Sequence, residues 1–185
     1  MPDSEHTALS PEWECFRRAR HGDEGAWRVL VEEHRARLGA LALLITGSAA
    51  AADDVVQETF LRALRAQVDH DRGTVAGFLG TIAFRLAVKE ANRSRRNVEL
   101  AGSDLPDHRQ SALESILANE RDRVVAEAIR SLDGDHRDVL ILRFYGGHSY
   151  AEIAELLGAP LGTVKSRVFY AVKSCREVLR QKGVI

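Results

Sequence analysis

Apolar residues recur at three- and four-residue intervals along most of this chain, and no series of alternating apolar and polar residues interrupts them. That rhythm predicts helices and no sheet. One helix is expected in "EGAWRVLVEEHRARLGALALLIT", with Asp23 as its cap, and "TGS" at 46–48 breaks it. A second runs through "AAAADDVVQETFLRALRAQ". "VDHDRGTVAG" is a loop with Asp71 and Gly73 as turn formers, and a third helix follows in "FLGTIAFRLAVKEANRSRR". Periodicity is lost over 97–115, where Gly102, Ser103, Asp104, Pro106 and Asp107 mark a connector. The expected fold is all-α, with a polar tail at 1–10, a helical domain at 11–96, a flexible linker at 97–115 and a smaller helical domain at 116–185.

The second domain contains a tight corner in "SYAEIAELLGAPLGTVKSRVFYAVK". Ser149 and Glu152 have the spacing of a capping box, so a helix should begin there. Ile153, Leu156 and Leu157 give it an apolar face, Gly158 can end it in the left-handed conformation, and Pro160 suits the first turn of the next helix. On that next helix Val164, Val168, Ala171 and Cys175 share one face, and Thr163, Ser166, Arg167 and Tyr170 fall opposite. One face can dock on the protein while hydroxyls, a guanidinium and a phenol are offered outward. A helix-turn-helix that reads a major groove needs this division; an ordinary helical hairpin with a solvated face would also show it.

Charge strengthens the first reading. The net charge is only -1, yet 85–96 holds Arg85, Lys89, Arg93, Arg95 and Arg96 against Glu90 alone. The C-terminal stretch holds Lys165, Arg167, Lys173, Arg176, Arg180 and Lys182 against Glu177, and the connector between the two basic stretches leans acidic.

Other classes find little support. The two cysteines, Cys15 and Cys175, form no CxxC pair. Seven histidines are present, but His34, His70, His136 and His148 fall on different elements, and the "DHD" at 69–71 reads as a turn. No HExxH, no Gly-rich phosphate loop and no nucleophile elbow occurs, so no catalytic residue, metal, cofactor or small-molecule substrate is expected. "MPDSEHTALS" is no signal peptide, and "LGALALLITG" is too short to span a bilayer. No direct membrane insertion and a cytoplasmic location are the expectation.

"LDGDHRDVLILRFYGGHSYAEIAELLGAPLGTVKSRVFYAVKSCREVL" resembles the fourth conserved region of bacterial sigma factors, which recognises the minus-thirty-five promoter element. "AADDVVQETFLRALRA" resembles their second region, which grips core RNA polymerase. The absence of room for a domain between them points to the extracytoplasmic-function group, and the resemblance covers about 26–180.

It implies that Asp54, Gln57, Glu58 and Leu61, one face of the second helix, meet the beta-prime subunit of the polymerase, while Val56, Phe60, Ala63 and Leu64 build the core. It implies that Arg85, Lys89, Asn92 and Arg96 meet the minus-ten element, with Asp71 and Arg72 in the loop that captures a flipped base. Leu79, Ile82, Ala83 and Leu86 should face inward on that helix. Thr163, Lys165, Ser166, Arg167, Tyr170 and Lys173 are implied at the minus-thirty-five element. The partners implied are core RNA polymerase through its beta-prime and beta subunits, promoter DNA and, as a candidate, an anti-sigma factor.

The chain departs from many relatives at Phe78, Arg85, Lys89, Leu161, Tyr170 and Val172, where tryptophan, asparagine, aspartate, glutamate, arginine and arginine are frequent. A LuxR-type helix-turn-helix regulator is the alternative; it leaves "DDVVQETF" unexplained.

Overall fold

The computed structural model describes residues 10–68, 73–101 and 120–185, and these form eight helices and no strand. They are α1 (Pro11–Arg20), α2 (Glu24–Thr46), α3 (Ala49–Arg65), α4 (Val75–Ala101), α5 (Glu120–Arg130), α6 (Gly134–Phe144), α7 (Tyr150–Leu157) and α8 (Leu161–Gln181). The chain is all-α, with a bundle of α1–α4 and a second bundle of α5–α8 that carries the helix-turn-helix.

Local chemistry sets most of the boundaries. The side chains of Ser10, Asp23 and Ser48 each accept a backbone N–H at the start of α1, α2 and α3. Gly47 ends α2 in the left-handed conformation, φ 69°, which accounts for the break at "TGS". The Thr74 hydroxyl accepts from the Gly77 N–H at 3.0 Å, so α4 starts at Val75, ahead of the expected Phe78. The same helix runs on to Ala101, into the segment read as connector, because no Pro or Gly stands between Arg96 and Gly102. The rest of that connector, 102–115, and the first residues of the expected second domain, 116–119, lie outside the described residues. Pro160 sits one place earlier than expected, as the N-cap of α8.

The N-terminal bundle is built around α2. Leu41, Ala42, Leu43 and Leu44 are all buried, because α3 and α4 both pack on this helix. The apolar run in α2 is therefore a core segment covered by protein. Among the described residues no helix is long and apolar enough to cross a membrane. Phe16, Trp13 and Phe78 close one end of the bundle through edge-on and tilted ring contacts of 5.6–5.9 Å, and Trp27 meets Phe60 at 5.5 Å. In the second bundle Val139, Ile141, Leu142, Ile153, Val164, Val168 and Ala171 are buried, with α8 laid across α5, α6 and α7.

Leu41 is fully buried, so Leu41→Ala is expected to cost about 3 kcal/mol through lost burial and a residual cavity. Val29 lies 53% exposed on the same helix, and Val29→Ala should stay within about 0.5 kcal/mol. Urea denaturation followed by circular dichroism checks both.

Candidate functional site

The corner between α7 and α8 is held by short-range bonds. Ser149 Oγ accepts the Glu152 N–H at 3.2 Å, and Glu152 Oε2 accepts the Ser149 N–H at 2.7 Å, a complete capping box. Gly158 follows at φ 61°, and its N–H and that of Ala159 close the end of α7. Helix α8 begins behind Pro160 with no side-chain cap, so its first N–H groups are left open to an acceptor from outside. Val164, Val168 and Ala171 pin α8 to the bundle. Lys165, Ser166, Tyr170 and Lys173 are exposed on its other side, with Thr163 half-buried between the faces.

Helix α4 divides in the same way. Leu79 and Ala83 are buried and Ile82 and Leu86 half-buried, whereas Arg85, Lys89, Asn92 and Arg96 form an exposed stripe. Helix α3 turns Val55, Val56, Thr59, Phe60 and Ala63 inward, with Leu64 half-buried. Asp54, Gln57 and Leu61 are exposed, and half-buried Glu58 is held by Arg62 at 2.6 Å. A cleft of about 320 Å³ between α3 and α4 brings Asp54, Glu58 and Lys89 onto one surface. The carboxylate face and the cationic stripe are therefore neighbours. Asp71 and Arg72 lie outside the described residues.

Residues 30–97 match the family model for Sigma-70 region 2, and residues 122–175 match that for Sigma-70, region 4. The ECF RNA polymerase sigma factor SigL of Mycobacterium tuberculosis is 39% identical over 160 residues, covering 85% of this chain and 90% of the relative. The chain belongs to the ECF sigma factors. It is an alternative sigma factor that directs promoter-specific transcription initiation, and the LuxR-type alternative falls with the region 2 match.

The RNA polymerase sigma-H factor of Pseudomonas aeruginosa is 32% identical over 178 residues, 88% of this chain and 91% of that one. Among solved structures, CnrH in complex with the cytosolic domain of CnrY superposes with a TM-score of 0.62 at 25% identity, over 92% of this chain and 97% of that chain. The sigma factor RpoE, solved with the anti-sigma factor NepR from Bartonella quintana, gives 0.65 at 22% identity over 83% and 96%, a likeness of fold.

Several features of this sigma factor have no local signal in the sequence. Arg167 is half-buried and tied to Asp135 of α6, a partner 32 positions away. Tyr170 stands edge-on to Phe169, with centroids 5.4 Å apart, so two exposed rings occupy the outer face of α8. Arg143 lies over the Tyr150 ring at 5.1 Å. Glu12, Glu33 and His34 cluster where α1 meets α2. There Arg37 donates to His34 Nδ1 at 3.2 Å, which leaves the proton on Nε2 facing Glu12 at 3.6 Å. Burial and the Arg37 charge push that imidazole below its ordinary pKa. A guanidinium on one nitrogen and a proton on the other make this a charge network and a poor ligand set.

Ser149→Ala removes the acceptor of the capping box and should cost about 1 kcal/mol of stability. Chemical denaturation followed at 222 nm reads this directly, and a loss near zero would show that the Glu152 half of the box suffices.

Proposed function

We propose that this sigma factor divides its work between its two bundles. The 11–96 domain anchors to core RNA polymerase through Asp54, Gln57, Glu58 and Leu61, and holds the opened minus-ten region through Arg85, Lys89, Asn92 and Arg96. Asp71 and Arg72 assist from the preceding loop. The 116–185 domain reads the minus-thirty-five element through Thr163, Lys165, Ser166, Arg167, Tyr170 and Lys173. The chain supplies selection and strand opening, the polymerase supplies the chemistry, and no catalytic group of this chain takes part. A cytoplasmic location follows from that partnership.

The observation that carries this reading is the cleft between α3 and α4, where the Asp54 and Glu58 carboxylates of α3 lie beside Lys89 and Arg93 of α4. A reversible protein interface suits the first, and phosphate contacts suit the second. On the second bundle an apolar groove between α5, α6 and α8, with Ile129, Leu140, Phe144 and Val172 in its walls, suits a helix of the polymerase beta subunit. CnrH is solved with the cytosolic domain of CnrY and RpoE with the anti-sigma factor NepR, which supports an anti-sigma factor as a further partner.

Linkage gives the arrangement its strength, because each contact raises the effective concentration of the other. Asp54→Ala with Gln57→Ala should weaken polymerase binding by about tenfold or more while leaving the helical spectrum unchanged. Arg167→Ala should weaken the upstream footprint by about 1–3 kcal/mol and leave polymerase binding intact. Co-elution with core polymerase and promoter footprinting separate the two. A folded double mutant that still binds, or an upstream footprint that survives Arg167→Ala, contradicts the assignment.

A further inference from the structure

We propose that Trp13 of α1 is a positioning residue for minus-ten reading, its indole N–H holding the Gly73 carbonyl and so fixing the point where the preceding loop enters α4. The inference rests on the assignment of α4 and that loop to the minus-ten element.

The bond joins residues 60 positions apart. Trp13 is only 3% exposed, and its Nε1 donates to the Gly73 carbonyl at 3.1 Å. A buried indole N–H needs an acceptor, and here the acceptor belongs to an exposed glycine at the end of a loop. Gly73 takes φ 80°, in the left-handed region. A glycine has the widest conformational freedom of any residue and no side chain through which packing could restrict it, so a bond to its carbonyl is an effective restraint. The next residue, Thr74, caps α4 by accepting the Gly77 N–H at 3.0 Å. Phe78, in the first turn of α4, has its ring 5.9 Å from that of Trp13 and 5.6 Å from that of Phe16. Indole bond, cap and ring contacts therefore act together on one short stretch of chain.

Helix α1 is a firm support for that bond. Ser10 caps it, and Pro11 occupies its first position. Cys15 Sγ donates to the Ala26 carbonyl of α2 at 3.6 Å, and Arg20 Nε donates to the Leu64 carbonyl of α3 at 3.1 Å. A tie to α1 is thus a tie to α2 and α3 as well. It sets the loop end in a fixed relation to the α3 face assigned to the polymerase.

The consequence is preorganisation. Holding an unstacked base costs free energy, and ordering the reading segment at the same moment would add to that cost. With Gly73 already anchored, part of the ordering is complete before DNA arrives. Trp13 itself touches no DNA and acts through Gly73.

Trp13→Phe tests the proposal, because it keeps an aromatic ring in the cluster and removes the N–H. Phe16→Leu is its control, since Phe16 is fully buried 5.6 Å from the Trp13 ring and makes no bond to Gly73 through its side chain. Holoenzyme assembled from core polymerase and each full chain is titrated with a single-stranded minus-ten oligonucleotide and with a minus-thirty-five duplex, both cut from a promoter that the wild type selects. Trp13→Phe should bind the single strand about fivefold more weakly and the duplex as the wild type does. Phe16→Leu should match the wild type on both. Hydrogen exchange over 73–77 of the full chain should rise in Trp13→Phe and stay at the wild-type level in Phe16→Leu. If Trp13→Phe fails to fold, benzothienylalanine at position 13, which puts sulfur in place of the N–H at nearly constant shape, makes the same comparison.

Unchanged exchange in the position 13 variant overturns the anchoring. Equal losses in both variants, or a loss on both probes, make Trp13 a packing residue and overturn the positioning role. Raised exchange with undiminished single-strand binding overturns its part in reading when Arg72→Ala still weakens that binding. If Arg72→Ala is also without effect, the minus-ten assignment fails and the anchoring of Gly73 stands.

Discussion

Leu38, Leu41 and Leu44 of α2 cannot be kept from water by one neighbouring helix, and the N-terminal bundle is arranged around that constraint. Helices α3 and α4 must each give their apolar face to α2. Their outer faces are then relieved of any packing role and can carry charge, which is where Asp54, Gln57 and the stripe from Arg85 to Arg96 are found. The same logic governs α8, where Val164, Val168 and Ala171 hold the helix down and leave the opposite side for polar groups. The residues proposed for function in this sigma factor sit on the surface left over by core formation.

Glycine serves two different ends in this chain. Gly47 and Gly158 adopt positive φ and stop helices, a purely local task. Gly80 keeps ordinary helical geometry and has no local reason to be glycine. Its unfavourable helix propensity is offset by a backbone-to-backbone approach to Gly146 that any side chain would prevent. Thr81 and His148 then add one hydrogen bond between the two bundles, which gives the approach a defined register.

Features encoded within a few residues could be read directly. The Asp23 cap, the Ser149–Glu152 box, the Gly158 stop and the buried face of α8 are all short-range patterns, and the helix-turn-helix follows from them. The ends of α4 were less legible. The Thr74 cap extends the helix forward, and 97–101 has polar composition but no residue that forbids a helix. Long-range pairs had no signal at all. Arg167 reads as a free guanidinium until Asp135 is brought beside it, and that pairing holds it in place on the face assigned to DNA. The closeness of Asp54, Glu58 and Lys89 likewise depends on how α3 and α4 cross.

The most direct test is transcription in vitro with purified bacterial core polymerase on a genomic promoter library, with and without this chain. The account predicts discrete start sites that appear only when the chain is added, with a shared upstream sequence that the exposed face of α8 selects. Polymerase that binds the chain yet initiates nowhere new would contradict it.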